Sequence, residues 1–171
     1  MSDVGVELLS PPGMVTLKIA DAAPALAALG LATPGVRRMV RVGDAAALWM
    51  APDEVLILVP EAGAAMAAMA PALAGVHHLM ADVTDARALF RIAGPRARET
   101  LAKLCPVDLH PAAFGPGDVR RTRAAQVAAA IWAEGADDFR LVAFRSVADY
   151  VAGLLAVSAD PAGAVGLFPR A

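Results

Sequence analysis

Residues 46–60, AALWMAPDEVLILVP, hold two apolar, β-prone runs on either side of Ala51-Pro52-Asp53. Proline presets φ at one corner of a turn and aspartate suits the next, so the stretch reads as a β-hairpin. Residues 131–144, IWAEGADDFRLVAF, repeat the pattern of strand, tryptophan, acidic turn and strand. Trp49 precedes Trp132 by 83 positions, whereas Asp53 and Val55 precede Asp137 and Phe139 by 84, which predicts one extra turn residue in the second copy. A helical pattern follows each hairpin: Met66, Met69 and Leu73 after the first, and Val147, Tyr150, Val151, Leu154 and Leu155 after the second. Strand-rich blocks each followed by one helix indicate an α+β fold rather than a parallel βαβ wind. The repeat predicts two pseudo-repeated half-units, about 45–76 and 127–157, around a common core.

Working outward, residues 1–13 end in Ser-Pro-Pro-Gly and read as a flexible leader, 14–157 as a single α+β domain, and 158–171 as a tail of loop or flexible extension. Val15, Leu17 and Ile19 alternate as in a half-buried strand, a short helix ends at Gly30, and Met39–Val42 reads as a strand. Two further strands lie in residues 77–95, with Ala86, Ala88, Phe90 and Ile92 on one face and Arg87 and Arg91 on the other. Gly94-Pro95 opens a helix with a buried stripe of Ala97, Leu101 and Leu104, which Cys105-Pro106 ends. Ser146 begins Ser-Val-Ala-Asp, with the logic of a capping box.

The chain has 171 residues and is 58% hydrophobic, much of that alanine, with aromatics only 5%, so the core is built from Leu, Val, Ile, Met and Ala. Net charge is −2 and the only lysines are Lys18 and Lys103, which excludes a polyanion-binding footprint and with it nucleic acid. A single cysteine excludes an internal disulfide and points to a reducing compartment. The acidic start lacks a basic n-region, and the uncharged run Ala62–Val76 is too short to span a bilayer, so a cytoplasmic protein away from membranes is expected.

Cys105, Asp108 and His110 stand within six positions of one another, so they invite a nucleophile–base reading. Cys105 sits at a helix C-terminus, however, where the dipole disfavours a thiolate, and the following proline makes a capping turn the better reading. The four serines, at 2, 10, 146 and 158, lie outside any Gly-x-Ser-x-Gly elbow. His77 and His78, as neighbours on a strand, point to opposite faces and do not share a metal ion. Asp53/Glu54 and Asp137/Asp138 fall in hairpin turns, and Asp82 and Asp85 with Arg87 read as a structural ion-pair group. No residue is assigned to catalysis, to a cofactor or to a metal.

Residues 81–114, ADVTDARALFRIAGPRARETLAKLCPVDLHPAAF, resemble the central signature of the gamma-subunit family of heterotetrameric sarcosine oxidase. The resemblance rests on Asp82-Val83-Thr84-Asp85, Arg87, Gly94-Pro95, Cys105-Pro106, Asp108-Leu109-His110-Pro111 and Phe114, with LWMAPDEVLILVP and DDFRLVAFRSVADYVAGLL as further blocks. It covers about residues 45–156; Val55 stands where the family has tryptophan, and only Thr122 is kept of a Cys-x-x-Thr segment. The resemblance implies a folate-binding-domain-like fold shared with the glycine-cleavage T-protein group and no catalytic residue on this chain. It further implies an assembly with alpha, beta and delta chains that converts sarcosine to glycine and hydrogen peroxide and passes the methyl carbon to tetrahydrofolate. The FAD, FMN, NAD and tetrahydrofolate sites would belong to those partner chains. Two alternatives stand beside this structural role: a stand-alone folate or pterin-binding module using Asp82 or Asp85, and a hydrolase or transferase built on Cys105 and His110. An apolar docking surface left uncovered also predicts self-association of the isolated chain.

Overall fold

The computed structural model describes residues 4–168. In chain order the elements are β1 (Gly5–Leu9), β2 (Gly13–Lys18), α1 (Ala23–Ala27), β3 (Met39–Val42), β4 (Ala45–Ala51), β5 (Glu54–Val59), α2 (Ala62–Leu73), β6 (Leu79–Asp82), β7 (Arg87–Ala93), α3 (Ala97–Ala102), β8 (Val119–Ala124), β9 (Val127–Gly135), β10 (Asp138–Phe144) and α4 (Ala148–Ala159). They fall into two compact units. An inserted unit spans Pro11–Ala86, and a discontinuous unit joins Met1–Ser10 to Arg87–Ala171. The fold is α+β, as the hairpin-then-helix pattern predicts.

The inserted unit is a sheet of order β3-β4-β5-β2-β6 with every neighbouring pair antiparallel. Val15, Leu17, Val55, Ile57 and Val59 meet Leu26 of α1 and Ala65, Met69 and Leu73 of α2 in one apolar cluster. The Ala51-Pro52-Asp53 reversal is where the sequence places it, between β4 and β5. Glu61 starts α2 by accepting hydrogen bonds from the backbone N–H groups of Gly63 (2.8 Å) and Ala64 (2.6 Å), two donors that a helix start leaves open. Gly30 takes φ +70° after α1, and the N–H of Leu31 reaches back to the Leu26 carbonyl at 3.0 Å, a Schellman ending that needs a left-handed residue.

The discontinuous unit is a sheet of order β1-β7-β10-β9-β8, again antiparallel throughout. Its cluster joins Phe90, Ile92, Ile131, Phe139 and Leu141 of the sheet to Ala97 and Leu101 of α3 and Val151, Leu155 and Ala159 of α4. Each unit has its own apolar cluster, and further buried apolar side chains, Met14, Leu48, Leu89 and Trp132 among them, lie outside both.

The repeat is wider than the hairpins that reveal it. Read from β8 to β1, the discontinuous sheet runs β8-β9-β10-β7-β1 and matches β3-β4-β5-β2-β6 strand for strand. The ladders correct the register. Leu48 opposite Leu56 answers to Trp132 opposite Arg140, and Trp49 opposite Val55 to Ala133 opposite Phe139, each position 84 residues from its counterpart. The two tryptophans are therefore not equivalent, and no extra turn residue separates the copies. One step along a strand reverses the face a side chain occupies, so Trp49 shares its face with Val55, whereas Trp132 lies on the face away from Phe139.

Other expectations are also revised. The segment read as a leader carries β1, because Val6 and Leu8 alternate in a strand paired with β7. Ala86 lies exposed in a 3-10 turn before β7. Ser146 does not cap α4; the chain enters that helix through the 3-10 turn Arg145–Val147, and the Arg145 carbonyl accepts from the N–H of Ala148. The buried stripe of α4 runs Val151, Leu155, Ala159, leaving Tyr150 47% exposed at its margin. Ser158 and Ala159 belong to α4 rather than to a loop, while residues 169–171 of the expected tail lie outside the described residues. No described helix is long and apolar enough to cross a membrane.

Gly13 marks a close approach of β2 to the start of α2. A Cβ there would stand 2.5 Å from the Ala62 nitrogen and 3.0 Å from the Glu61 carbonyl carbon. Gly13→Ala is expected to lower stability by about 2 kcal/mol. Gly5→Ala, whose Cβ would meet nothing nearer than 3.8 Å, stays within about 0.5 kcal/mol. Urea unfolding of both variants checks the contrast.

Candidate functional site

The segment from α3 through Phe114 gathers the residues that most resemble chemistry. The N–H of Cys105 donates to the Leu101 carbonyl at 2.8 Å, and Pro106 ends the helical path. The Cys105 side chain is 3% exposed within the cluster that holds Leu101, Leu109 and Phe114. Burial pushes its thiol up to about 12, so at neutral pH it is a protonated, apolar filler. The Asp108 carboxylate accepts from the N–H of His110 at 2.9 Å, and the His110 ring, through Nδ1, accepts from the N–H of Ala112 at 3.2 Å. The His110 carbonyl takes the N–H groups of Ala113 and Phe114. Cys105, Asp108 and His110 thus lie along one connecting segment after α3, and the bonds that Asp108 and His110 make hold its backbone.

The turn is held from beneath by Arg98, which the sequence reading passed over. Its guanidinium donates to three carbonyls: Leu109 at 2.8 Å, Phe114 at 2.7 Å and Ala136 at 2.9 Å. The residue is 5% exposed, and desolvation lowers its pKa from the usual arginine value, opposed by the charge of Asp137. Its planar fork faces the Phe139 ring at 4.9 Å, Phe139 stacks on Phe114 at 6.0 Å, and Arg120 covers the Phe114 ring at 5.3 Å. The guanidinium therefore ties the turn after α3 to the β9–β10 reversal without a hydrogen bond to any carboxylate in these three contacts.

Glu99, one residue on, fastens the segment beyond α4. Its carboxylate accepts from the N–H groups of Val165 and Gly166, both at 3.0 Å, and pairs with Lys103 at 3.3 Å and Arg96 at 3.4 Å. Lys103 in turn donates to the Ser158 and Gly163 carbonyls, at 3.0 and 2.8 Å. The bond from Val165 leads the effects that hold the Glu99 carboxyl down at about 2, with Lys103 and Arg96 adding to it against the cost of burial. Phe168 packs on the same apolar cluster and stands edge-on to His110. A segment expected to be loose is tied by charge-assisted bonds.

The remaining candidates are dispersed. Asp82 accepts from the Thr84 N–H (2.9 Å) and hydroxyl (2.6 Å), bonds that lower its pKa, while the Thr84 hydroxyl oxygen accepts from the N–H of Met14. The Arg87 guanidinium covers the Phe144 ring at 4.1 Å. Asp138 lies between Arg91 (3.1 Å) and Arg140; burial raises its pKa, but the two arginines outweigh that and leave it lowered. His77 and His78 are exposed in a loop rather than on a strand, and His78 Nδ1 contacts the Val76 carbonyl at 2.7 Å. A cleft of about 250 Å3 in the inserted unit is lined by Ile19, Pro34, Trp49, Asp53 and Val55 among others. Among the described residues no three His, Cys, Asp or Glu side chains gather as a metal site.

This architecture, two like α+β units in which polar side chains hold backbone turns, defines a class by fold. The chain is similar over 90% of its length to the glycine cleavage system aminomethyltransferase T from Bartonella henselae, with TM-score 0.66, 15% identity and 45% of that chain covered. It is similar over 98% of its length to a chain of the heterotetrameric sarcosine oxidase from Corynebacterium sp. U-96, with TM-score 0.89, 24% identity and 90% of that chain covered. The family model of the sarcosine oxidase gamma subunit matches residues 16–160, and the chain belongs to that family. A curated relative, the sarcosine oxidase subunit gamma of Arthrobacter sp., is 36% identical over 90 residues, 53% of this chain and 44% of its own. The chain spans about half the length of the curated relatives it matches.

Two predictions follow from the charged residues of α3. Arg98→Met is expected to cost at least about 3 kcal/mol, since three carbonyls lose their donor at roughly 1 kcal/mol or more each. Arg98→Lys recovers only part of this, because an ammonium cannot reproduce the planar fork; urea unfolding measures both. Folding lowers the Glu99 carboxyl from its ordinary 4.5 to about 2. Its contribution is therefore complete above pH 4.5 and is lost as the pH falls toward 2. Stability measured across that window should fall more steeply for the native chain than for Glu99→Gln.

Proposed function

We propose that the chain serves as a non-catalytic, structural gamma subunit of a heterotetrameric sarcosine oxidase. The observation that carries this reading is the family match over residues 16–160. It is supported by the state of the one segment that resembles an active site: a buried, protonated Cys105 beside an Asp108 and a His110 engaged with backbone N–H groups. In this reading alpha, beta and delta chains hold FAD, FMN, NAD and tetrahydrofolate. The assembled complex oxidises sarcosine to glycine with release of hydrogen peroxide and transfer of the methyl carbon to tetrahydrofolate. The chain's share is contact area and shape, delivered in the cytoplasm, where its single thiol stays reduced.

Co-expression with tagged alpha, beta and delta chains tests the assignment. The chain should co-purify with them, and omitting it should lower the yield of assembled oxidase. Cys105→Ala and His110→Ala are expected to reduce assembly or solubility while turnover per assembled complex stays within about twofold. A loss on the order of a hundredfold in a fully assembled Cys105→Ala complex would overturn the reading. Calorimetric titration of the isolated chain with tetrahydrofolate should give no saturable heat; saturable binding would favour a pterin-binding module instead.

A further inference from the structure

In the inserted unit the strand after α2 is β6, which returns to pair with β2. In the discontinuous unit the described chain beyond α4 forms no strand and is held by Glu99 and Lys103, while the equivalent place beside β7 is taken by β1. The replacement keeps the register. Met80 sits opposite Leu17 and packs on one cluster; Val6 sits opposite Ile92 and packs on the other. β1 therefore belongs to its sheet by pairing, yet all of Pro11–Ala86 lies between it and the next element of its own unit.

It is an edge strand, held to the sheet along one side only. Five register pairs, Gly5↔Ala93 to Leu9↔Leu89, join it to β7, and only Val4 and Val6 of this segment contribute to the core, while Glu7 and Leu8 are exposed. The link to β2 is Ser10-Pro11-Pro12, in which two prolines fix φ and stiffen the hinge. An edge strand followed by a short stiff hinge can make the same ladder with a second copy, because the swapped contacts are identical to the internal ones.

We propose that β1 is an exchangeable strand, and that two copies of this chain swap Gly5–Leu9 across their β7 edges to form a closed, two-fold dimer. This inference rests on the topology and is independent of the proposed subunit role. Refolding at high concentration favours the swapped form. Dilution returns the monomer slowly, since exchange requires β1 to leave β7.

Gly5 and Ala93 face one another in the ladder, and Cys105 is buried away from solvent, so Gly5→Cys/Ala93→Cys supplies a covalent reporter. The variant is refolded at high and at strongly diluted concentration, oxidised, and separated by size exclusion with light scattering. The dimer fraction is expected to run as a covalent dimer on a non-reducing denaturing gel, and the monomer fraction as a cross-linked monomer. Monomer alone at every concentration would overturn the proposal, as would a dimer whose chains separate on that gel while still internally cross-linked. Glu7→Cys/Arg91→Cys, from the same ladder, gives the same readout should the first variant fail to fold.

Discussion

The discontinuous unit depends on one buried guanidinium. Arg98 is held by hydrogen bonds to the carbonyls of Leu109, Phe114 and Ala136 rather than by a carboxylate in those contacts. Each of those carbonyls lies at a reversal, where the chain has no ladder partner of its own to offer. A planar fork with several donors can satisfy them together, and it can lie flat against Phe139 while doing so. The stack of Arg98, Phe139, Phe114 and Arg120 then continues from the buried side of α3 to the start of β8. Cys105 is buried within the same arrangement while Asp108 and His110 lie at its surface, which explains why residue types associated with catalysis stand so close together here.

The local signals that were legible are those set by neighbouring residues. Pro52-Asp53 fixes the first reversal, Met39–Val42 is a strand in full, and Met69 and Leu73 are buried at the helical spacing that predicts it. What escaped depends on partners far along the chain. A charged residue in a helical pattern reads as solvent-facing, and nothing near Arg98 or Glu99 announces carbonyls at Phe114 and Ala136 or N–H groups at Val165 and Gly166. The one available hint was that Arg98 lies beside Ala97 and three residues before Leu101, on a turn otherwise read as buried. Trp49 and Trp132 misled for a different reason. A large aromatic is conspicuous, but register is decided by the ladder as a whole, and in that ladder Leu48 answers to Trp132.

The duplicated plan persists through these differences. α2 and α4 have equal length, and Ala65, Met69 and Leu73 of the one hold the places of Val151, Leu155 and Ala159 of the other. Side-chain volume has been redistributed within each unit while the buried positions stayed fixed, as packing that tolerates volume-conserving change allows. The family assignment therefore rests on a scaffold whose second half carries the polar hubs and whose first half carries the cleft beside Trp49.

Placing β1 beside β7 also orders events in time. During synthesis Gly5–Leu9 emerges before the inserted unit, and its partner strand Arg87–Ala93 appears only after the whole of that unit has been made. β1 must therefore wait with its edge uncommitted while β2 through β6 gather their own core. Pairings so distant in sequence close late. The sheet of the discontinuous unit therefore cannot begin to form until the inserted unit has been made, and β8, β9 and β10 join it later still.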